Sequence, residues 1–335
     1  MARWKVYVTD YDYDNLDLEK SILEPIGAEV IGLQCKTGEG LAELAKDADI
    51  IMARYAKITR ETLEQLERCK AICRYGIGVD TVDVKAVYDN GMILTNIPDF
   101  CIEEVAEHSI AMGLTLLRRL PMYDQATKAG SWRWQDAGGP IQRFRDMTWG
   151  IIGFGKIGQN IALKIKGLGF KVVCNDPFIS QNYINSFGVE KVAFSDLIRS
   201  ADLVNVMCPY NKSTHHIIDQ AALKEMKPTS VVINCSRGKL VDNQALYQAL
   251  KEGWIAAAGL DDTEDEPAKN INWQPRDNPL FSLDNCLISP HAAYYSEASL
   301  EDNRRLAAEN AKAVLLGTRP INIVRPLIGG GAQDC

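Results

Sequence analysis

The sequence predicts an α/β protein built from two doubly wound domains, each with a mostly parallel sheet. Short apolar segments alternate with amphipathic helical patterns along most of the chain, and one apolar segment near the middle runs into a glycine-rich turn. This alternation is typical of parallel sheets that are covered by helices on both faces. The length of 335 residues allows two domains that each bury a core of their own.

The part of the chain before Pro98 contains the first set of alternating elements. Each strand candidate is short and apolar, and a helical pattern separates it from the next, as in βαβ units. The strand candidates are Trp4–Thr9, Glu29–Leu33, Ile50–Ala53, Ala71–Arg74 and Met92–Thr95. The helical patterns lie near Leu16–Leu23, Leu41–Ala45, Thr62–Leu66 and Val84–Tyr88.

A long apolar helix is predicted next, from Ile102 to about Leu120, where Pro121 would stop it. We expect residues 122–147, which include Trp132, Trp134 and the Gly138-Gly139-Pro140 break, to form an irregular arm. A second set of strands follows, at Trp149–Ile152, Lys171–Asn175, Leu203–Val206, Val231–Cys235, Ala256–Leu260 and Cys286–Ser289. A last helix is predicted from Ser296 to about Leu316, before a glycine-rich tail that is expected to be mobile.

The glycine turn, Gly153-x-Gly155-x-x-Gly158, lies between a strand and a helical pattern, and the next strand ends at Asp176. In this order the first glycine permits a tight turn, the second lets the backbone approach a pyrophosphate, and the third lets helix and strand pack closely. A pyrophosphate would bind the exposed amides of the helix N-terminus. Asp176 is placed to accept hydrogen bonds from the adenosine ribose. The pattern therefore predicts a dinucleotide site.

Composition excludes several classes of function. The net charge of -7 disfavours a general nucleic-acid or anionic-membrane binder, and no apolar run approaches the roughly 20 residues of a membrane span. The N-terminus is predicted to be a strand and not a signal peptide. Nine cysteines without paired metal-ligand spacing indicate free thiols, no metal site and a cytoplasmic location. The cysteines expected to be buried in or beside strands are Cys73, Cys174, Cys208, Cys235 and Cys286.

Chemically useful side chains follow the strands of the second set. Because ligands bind outside the carboxyl ends of parallel strands, the residues after each strand should share one rim. These residues are the glycine turn, Asp176, Cys208-Pro209, Ser236-Arg237-Gly238, Asp261 and Ser289-Pro290-His291. One rim would thus carry a nucleotide turn, an arginine, an acid and a histidine.

His291 can exchange a proton near neutral pH, and its place on this rim favours catalysis over a structural cap. A carboxylate from the acidic run after Asp261 would keep the imidazole charged, although Glu264, Asp265 and Glu266 are equivalent on this reasoning. Arg237 suits a substrate carboxylate, the alternative being an ion pair with Asp242. The other histidines have weaker cases. His215 and His216 are predicted to lie in a surface loop, and His108 is predicted to be a packing or interdomain residue.

Six ordered motifs give the chain a resemblance to a known family. They are Arg74-Tyr-Gly-Ile-Gly-Val-Asp80, Glu103-Glu-Val-Ala-Glu-His108, Gly150-Ile-Ile-Gly-Phe-Gly-Lys-Ile-Gly158, Asn234-Cys-Ser-Arg-Gly-Lys-Leu-Val-Asp242, Gly259-Leu-Asp-Asp-Thr-Glu-Asp-Glu-Pro267 and Ser289-Pro-His-Ala-Ala293. With them the chain resembles the D-isomer-specific 2-hydroxyacid dehydrogenases, in particular bacterial C-terminal-binding-protein-like and phosphoglycerate-dehydrogenase-like members. The resemblance implies a discontinuous flavodoxin-like substrate domain (1–100 and 295–335). It also implies an inserted Rossmann NAD-binding domain (101–294) with a dimerisation arm at about 122–147.

The resemblance also implies roles for individual residues. Arg237, Glu266 and His291 would form the catalytic triad, which selects Glu266 among the three acids. Tyr75, Gly76, Ile77 and Gly78 would bind the substrate carboxylate together with Arg237. NAD would be held by Gly153, Gly155, Lys156, Ile157, Gly158, Asp176, Cys208, Pro209, Cys235, Ser236, Arg237, Asp261, His291 and Ala293. The chain would act as a homodimer on a small-molecule 2-oxo or 2-hydroxy acid.

Two departures from the family pattern bear on the substrate. The chain has Ala53-Arg54-Tyr55-Ala56 where many relatives have Arg-Ser-x-Thr, and Asp99-Phe100-Cys101 where phosphoglycerate dehydrogenases have a polar loop. Both disfavour phosphohydroxypyruvate, although Arg54 or Lys57 could still reach an anionic substituent of a substrate. The predicted function is hydride transfer between NAD(H) and a 2-oxo acid, with Asp176 disfavouring NADP. The alternatives are an NAD(H)-responsive corepressor-like binding protein and a phosphite-type dehydrogenase.

Overall fold

Two separate sheets organise the protein, seen in a computed structural model that describes residues 3–137, 140–264 and 273–325. The chain divides into one unit of Met1–Phe100 with Ser296–Cys335 and a second unit of Cys101–Tyr295. The strands are β1 (Trp4–Val8), β2 (Ala28–Gly32), β3 (Ile50–Ala53), β4 (Ala71–Arg74), β5 (Ile93–Thr95), β6 (Thr148–Ile152), β7 (Lys171–Asn175), β8 (Glu190–Lys191), β9 (Leu203–Val206), β10 (Val231–Asn234), β11 (Ala257–Leu260), β12 (Cys286–Ile288) and β13 (Ile323–Val324).

The helices alternate with these strands. They are α1 (Asp17–Leu23), α2 (Gly38–Leu44), α3 (Arg60–Leu63), α4 (Val84–Asp89), α5 (Ile102–Leu117), α6 (Leu120–Lys128), α7 (Lys156–Lys166), α8 (Gln181–Ser186), α9 (Phe194–Ser200), α10 (Gln220–Glu225), α11 (Asn243–Glu252) and α12 (Glu297–Leu315). Short 3-10 turns occur between them, including Trp134–Ala137 and Phe144–Asp146. This order confirms the predicted α/β class.

The sheet of the first unit has the strand order β13-β5-β4-β3-β1-β2. Its strands are parallel except β13, which pairs antiparallel with β5 at one edge. Alternate residues of a strand point to opposite faces, so Val6 and Val8 join the core under α1 and α12, while Tyr7 joins the core under α2, α3 and α4. The edge strand β13 was not predicted, because two residues carry no readable alternation.

The sheet of the second unit has the order β12-β11-β10-β9-β6-β7-β8, and its paired strands all run parallel. The chain starts in the middle, at β6, then adds β7 on one side and β9 on the other. Such a reversal of strand order opens a crevice at the carboxyl ends of the strands, which is where ligands bind in this class of sheet. The glycine turn follows β6 directly and so lies at that crevice.

The long helix and the arm after it differ from the prediction. Helix α5 ends at Leu117, and Arg119 adopts a left-handed conformation with φ of 55°. Pro121 then lies in the first turn of α6, where its missing N–H costs nothing and its fixed φ suits a helix. Pro121 therefore belongs to the start of a helix, and residues 122–128 of the predicted irregular arm are helical. Gly138 and Gly139 lie outside the described residues.

Burial of the cysteines is mostly as expected. Cys73, Cys174, Cys208 and Cys235 are buried, whereas Cys286 is half-buried, so that prediction was wrong for Cys286, whose short edge strand is only partly covered. Burial raises the pKa of the Cys174, Cys208 and Cys235 thiols to about 12. No described helix is both long and apolar enough to cross a bilayer. The predicted mobile tail after Arg325 lies outside the described residues.

Candidate active site

Two glycines of the turn after β6 are required by the fold itself. Gly153 has φ of 95°, and its amide donates to the carbonyl of Asn175 at 2.9 Å. A Cβ at Gly153 would lie 2.7 Å from the backbone nitrogen of Cys208, and a Cβ at Gly158 would lie 2.4 Å from the carbonyl oxygen of Gly153. Either substitution would force backbone atoms apart. These two glycines therefore close the turn and pack α7 against it.

Gly155 has a different task. It is the N-cap of α7 with φ of -67°, which any residue can adopt, and a Cβ there would meet nothing within 4 Å. The open space lies at the N-terminus of α7, which begins at Lys156. A pyrophosphate fits this arrangement, because the helix dipole and the amides of a first helical turn both favour an anion. The turn therefore fits a dinucleotide at Gly155.

Asp176 fixes the turn from the neighbouring strand end. Its Oδ2 accepts a hydrogen bond from the Phe154 amide at 2.8 Å, inside the glycine turn. Its Oδ1 accepts from the amides of Phe178 and Ile179, at 2.8 and 3.1 Å. Cys208, after β9, is buried against Gly153, while Pro209 is exposed. Asp176 therefore orders the site, and its contact with a ribose remains a prediction.

Arg237 lies on the loop after β10 and is half-buried. Its Nη1 donates to the carbonyl of Ser236 at 2.7 Å, and the Asn234 side chain donates to the Arg237 carbonyl at 2.8 Å. Asp242, the alternative ion-pair partner of Arg237, is the N-cap of α11, and its side chain accepts from the amides of Gln244 and Ala245. The loop backbone is thus fixed around a guanidinium at the rim.

Asp261, directly after β11, holds the turn that contains His291. Its Oδ1 accepts from the Ala292 amide at 2.9 Å and its Oδ2 from the Ala293 amide at 2.8 Å. The Asp261 carbonyl accepts from the His291 amide at 2.8 Å. His291 itself has φ of 53°, a left-handed conformation that costs a non-glycine residue roughly 1 kcal/mol. The buried carboxylate of Asp261 stabilises this unusual turn and presents the imidazole, whose side chain is 25% exposed.

The acidic run after Asp261 is distributed among different partners. Asp262 accepts from the Gly238 amide at 3.3 Å and lies 4.0 Å from Nδ1 of His291. Glu264 pairs with Nε2 of His216 at 2.6 Å. Asp265 and Glu266 lie outside the described residues. The Glu264 carboxylate, one of the three acids after Asp262 in this run, therefore pairs with a histidine other than His291.

In the first unit, the Tyr75-Gly76-Ile77-Gly78 loop is held by its carbonyls. The Ile97 amide donates to Gly76 at 3.0 Å, and the Asn96 side chain donates to Ile77 at 2.7 Å. Burial raises the pKa of Tyr75, whose hydroxyl donates to Glu19 at 3.3 Å. Within residues 3–137, 140–264 and 273–325, the amides of Gly76, Ile77 and Gly78 donate no hydrogen bond. Successive amides of this kind suit a carboxylate.

Comparison with known proteins fixes the family. Residues 110–293 match the model of the D-isomer specific 2-hydroxyacid dehydrogenase NAD binding domain, more than half of the chain. The chain belongs to this family. The D-3-phosphoglycerate dehydrogenase of Methanocaldococcus jannaschii is 37% identical over 327 residues, which are 96% of this chain but 59% of that enzyme. The glyoxylate reductase of Korarchaeum cryptofilum is 34% identical over 287 residues, with 85% of each chain covered.

A solved member of the family has the same fold. The D-lactate dehydrogenase of Aquifex aeolicus, crystallised with NAD and lactic acid, superimposes with a TM-score of 0.86 and 29% identity, covering 96% of this chain and 99% of that one. The second unit of this chain, Cys101–Tyr295, contains the residues matched to the NAD binding domain. Among the described residues of this chain, no three histidine, cysteine, aspartate or glutamate side chains are grouped so that they could hold a metal ion.

Two histidines of this dehydrogenase-family chain have contacts that the sequence did not predict. Nε2 of His108 lies 2.9 Å from the Ser289 hydroxyl and 3.7 Å from Asp261, so the helix residue predicted to serve packing reaches the rim. Ser289 in turn donates to Asp261. His216, predicted to lie in a surface loop, is half-buried against Glu264. Both contacts join residues distant in sequence, and no local pattern announces them.

Proposed function

We propose that this chain is an NAD-dependent D-2-hydroxyacid dehydrogenase, which reduces a small 2-oxo acid with NADH and catalyses the reverse oxidation. The observation that carries the proposal is the turn at His291. A buried carboxylate, Asp261, holds a proton-exchanging histidine in a left-handed conformation at the carboxyl edge of the same sheet that carries the glycine turn and Arg237. Backbone outliers of this kind cluster at functional sites.

The residues that would hold NAD follow the edge of the sheet in the second unit. The pyrophosphate would bind at Gly153, Gly155, Lys156, Ile157 and Gly158, and the ribose at Asp176. Cys208 and Pro209 would lie beside the adenosine. The nicotinamide would be surrounded by residues after β10, β11 and β12, namely Cys235, Ser236, Arg237, Asp261, His291 and Ala293. Support comes from the open space at Gly155 and the fixed loops around it.

The side chains of the rim then have distinct tasks in the reduction. Bound NADH supplies the hydride for C2 of the oxo acid. Arg237 binds the substrate carboxylate through its planar fork and draws charge from the carbonyl. His291, as the imidazolium, gives a ring proton to the alkoxide oxygen as it forms, and Glu266 keeps that imidazole charged. In the oxidation the neutral imidazole takes the proton back.

We further propose that the first unit recognises the substrate and that the protein is a homodimer. The unpaired amides of Gly76, Ile77 and Gly78 would bind the substrate carboxylate. The dimer would form through the arm at about 122–147, where Trp132 and Trp134 are 90% and 75% exposed. Large exposed aromatic side chains are typical of surfaces that another protein covers.

The proposed substrate is a short, unphosphorylated 2-oxo acid such as glyoxylate or hydroxypyruvate. The loop at Arg54-Tyr55-Ala56 departs from the pattern of many relatives, and the loop at Asp99-Phe100-Cys101 departs from the phosphoglycerate dehydrogenase pattern. These departures favour a substrate without a phosphate.

The test is an NADH-oxidation panel with glyoxylate, hydroxypyruvate, pyruvate, bulky 2-oxo acids and phosphohydroxypyruvate. We expect the highest kcat/KM with glyoxylate or hydroxypyruvate, and the D product by chiral analysis. A preference for phosphohydroxypyruvate would overturn the substrate proposal. NADH binding without turnover of any oxo acid would favour the corepressor-like alternative, and phosphite-dependent NADH formation would favour the phosphite alternative.

A further inference from the structure

One face of α5 packs on β11, a strand of the second unit's sheet. His108, Met112 and Leu116 follow one another at four-residue spacing, which places them on the same side of the helix. Gly259, in β11, has no side chain, and a Cβ there would lie 3.4 Å from Cβ of Met112 and 3.4 Å from Cδ1 of Leu116. The helix therefore lies close to β11, and His108 is one helical turn before the residues that pack there.

The His108 side chain is connected to a buried carboxylate by a single hydroxyl group. Its Nε2 lies 2.9 Å from the hydroxyl of Ser289, the residue after β12. The same nitrogen lies 3.7 Å from Oδ1 of Asp261, the residue after β11. The Ser289 hydroxyl donates to that same Oδ1. The Asp261 side chain is 3% exposed, so these contacts lie where few water molecules can replace them.

The donor in each of these hydrogen bonds follows from the hydrogens present. Asp261 accepts backbone amides at both carboxylate oxygens, from Ala292 at 2.9 Å and from Ala293 at 2.8 Å, as an ionised carboxylate does. A hydroxyl has one hydrogen, and Ser289 gives it to Asp261. The Ser289 oxygen must therefore accept from Nε2 of His108, which carries a proton. Donation thus runs from His108 to Ser289 and from Ser289 to Asp261.

Asp261 connects this series to the turn that contains His291. The two amides that its carboxylate binds belong to the residues directly after His291, and its carbonyl accepts from the His291 amide at 2.8 Å. The φ of His291 is 53°, and such a conformation persists only where the surroundings over-determine it. The carboxylate can bind both amides in one orientation, and the bond from Ser289 restricts its rotation. The turn therefore depends on an orientation that His108 helps to fix.

We propose that His108 is a positioning residue for the reaction. It orients the Ser289 hydroxyl, which orients the Asp261 carboxylate, and so keeps the imidazole of His291 where proton transfer requires it. This inference rests on the proposed function, because it assumes that His291 gives the proton. His108 touches neither substrate nor NAD in this scheme. Its effect passes through hydrogen bonds within the unit of Cys101–Tyr295.

The experiment compares His108→Leu and His108→Gln with His215→Leu. Leucine keeps an apolar side chain on the helix but cannot donate, whereas the amide of glutamine can still donate to Ser289. His215→Leu makes the same replacement at an exposed histidine of the same unit. With NADH and glyoxylate or hydroxypyruvate, we expect His108→Leu to lower kcat by about tenfold to a hundredfold, because a small displacement of a catalytic group is costly. His108→Gln should recover most of this loss, and the control should match the unaltered protein.

A second comparison tests whether the effect passes through Ser289. Ser289→Ala should lower kcat by a factor similar to that of His108→Leu. In the Ser289→Ala background, His108→Leu should then change kcat by less than about twofold, because residues that act in series are not additive. An equally large effect of His108→Leu in both backgrounds would mean that His108 acts by another route, and would overturn the proposal.

ADP-ribose separates positioning from a loss of folded protein. This ligand lacks the nicotinamide, so calorimetric titration with it counts folded NAD sites without engaging the turn of His291. We expect the number of ADP-ribose sites and their dissociation constant to be unaltered in His108→Leu. With NADH deuterated at the transferred position, the isotope effect on kcat should rise, because the chemical step becomes slower. A fall in kcat that merely follows a fall in ADP-ribose sites, with an unaltered isotope effect, would contradict the positioning role.

His291→Asn distinguishes this inference from the proposed function. If His291→Asn lowers kcat strongly while His108→Leu keeps it, the positioning role fails and the proposed function stands. If His291→Asn also leaves kcat intact, the proposed function itself fails for His291, and the positioning role fails with it.

Discussion

All four histidines of the chain, at positions 108, 215, 216 and 291, lie in the unit of Cys101–Tyr295, and the other unit has none. Both units place charged side chains after the strands of a parallel sheet. In the first unit, Arg304 pairs with Glu19 at 2.7 Å and its guanidinium lies 4.0 Å from the Tyr13 ring. In the second unit, Asp261 binds the amides of the turn that carries His291, and Glu264 binds His216. Groups able to exchange protons near neutral pH are thus confined to the NAD-binding unit.

In both units a buried carboxylate after a strand binds the backbone amides of a neighbouring loop. Asp10, after β1, accepts from the amides of Tyr55 and Ala56, at 3.1 Å from each at its closest, and is buried. Asp176 does the same for the glycine turn. A buried carboxylate that satisfies amides of a neighbouring loop fixes that loop without a regular element. Asp261 does so for the turn that carries His291, so carboxylates of this kind fix both the glycine turn and the imidazole in the second unit.

The contrast between the two units depends most on His291, the proposed proton donor of the second unit. Asparagine tolerates a left-handed φ, so His291→Asn removes the proton donor while sparing the turn. We expect kcat to fall by about 10²–10⁴-fold, the usual contribution of a general acid, with NADH affinity kept. Steady-state kinetics and NADH fluorescence titration measure the two. His215→Asn serves as the matched control, and turnover equal to that of the control would remove His291 from the mechanism.

Glu19→Gln tests the ion pair between Glu19 and Arg304 in the first unit. The change leaves Arg304, whose side chain is 15% exposed, without its full counter-charge. Breaking a buried ion pair costs about 3–5 kcal/mol of unfolding free energy, so urea unfolding of the first unit should shift while NADH binding stays. The control is Asp302→Asn in α12, the helix of Arg304. It breaks the exposed pair between Asp302 and Arg305 and should cost under about 1 kcal/mol of unfolding free energy. Equal costs would mean that burial of the first pair contributes nothing.

The glycine turn allows the fold and the cofactor site to be separated within one unit. Gly155→Ala adds a methyl group where nothing lies within 4 Å, so stability should hold while the NADH dissociation constant rises roughly tenfold. Gly158→Ala instead places its Cβ 2.4 Å from the Gly153 carbonyl and should destabilise the unit by about 1–3 kcal/mol. Thermal unfolding without NADH and calorimetric titration with it distinguish the two. Unaltered NADH affinity in Gly155→Ala would contradict the pyrophosphate site.

Local chemistry made most of the fold predictable, and long-range contacts account for what was missed. Short apolar strands and the glycine turn have signatures a few residues long, so the α/β class and the family were confirmed. The contacts of His108 with Ser289 and of His216 with Glu264 span 181 and 48 residues, and each depends on how the sheet is assembled. Pro121 was misread because proline ends one helix and begins another equally well. The role of Glu266 stays a prediction that follows from the family resemblance.

The smallest expected effect concerns buried thiols, which among the described residues are more numerous in the NAD-binding unit. There Cys101, Cys174, Cys208 and Cys235 are buried, against Cys69 and Cys73 in the first unit. Burial, with a smaller contribution from Asp176, raises the pKa of Cys174 from 9.0 to about 12. Because the folded state holds this proton more tightly, the stabilisation is complete below pH 9 and is lost as pH rises toward 12.

The free energy of unfolding should therefore fall less steeply with pH in Cys174→Ala than in the unaltered protein. Between pH 9 and 11 the two slopes should differ by about 1.4 kcal/mol per pH unit. Urea unfolding at a series of pH values measures the slope, and Cys73→Ala gives the corresponding change in the first unit, since burial raises the pKa of that thiol to about 12 as well. The two slopes should change equally although the transitions belong to different units. A slope that does not change in Cys174→Ala would mean that water reaches this thiol in the folded protein, and that the strand beside Asp176 opens more readily than its burial implies.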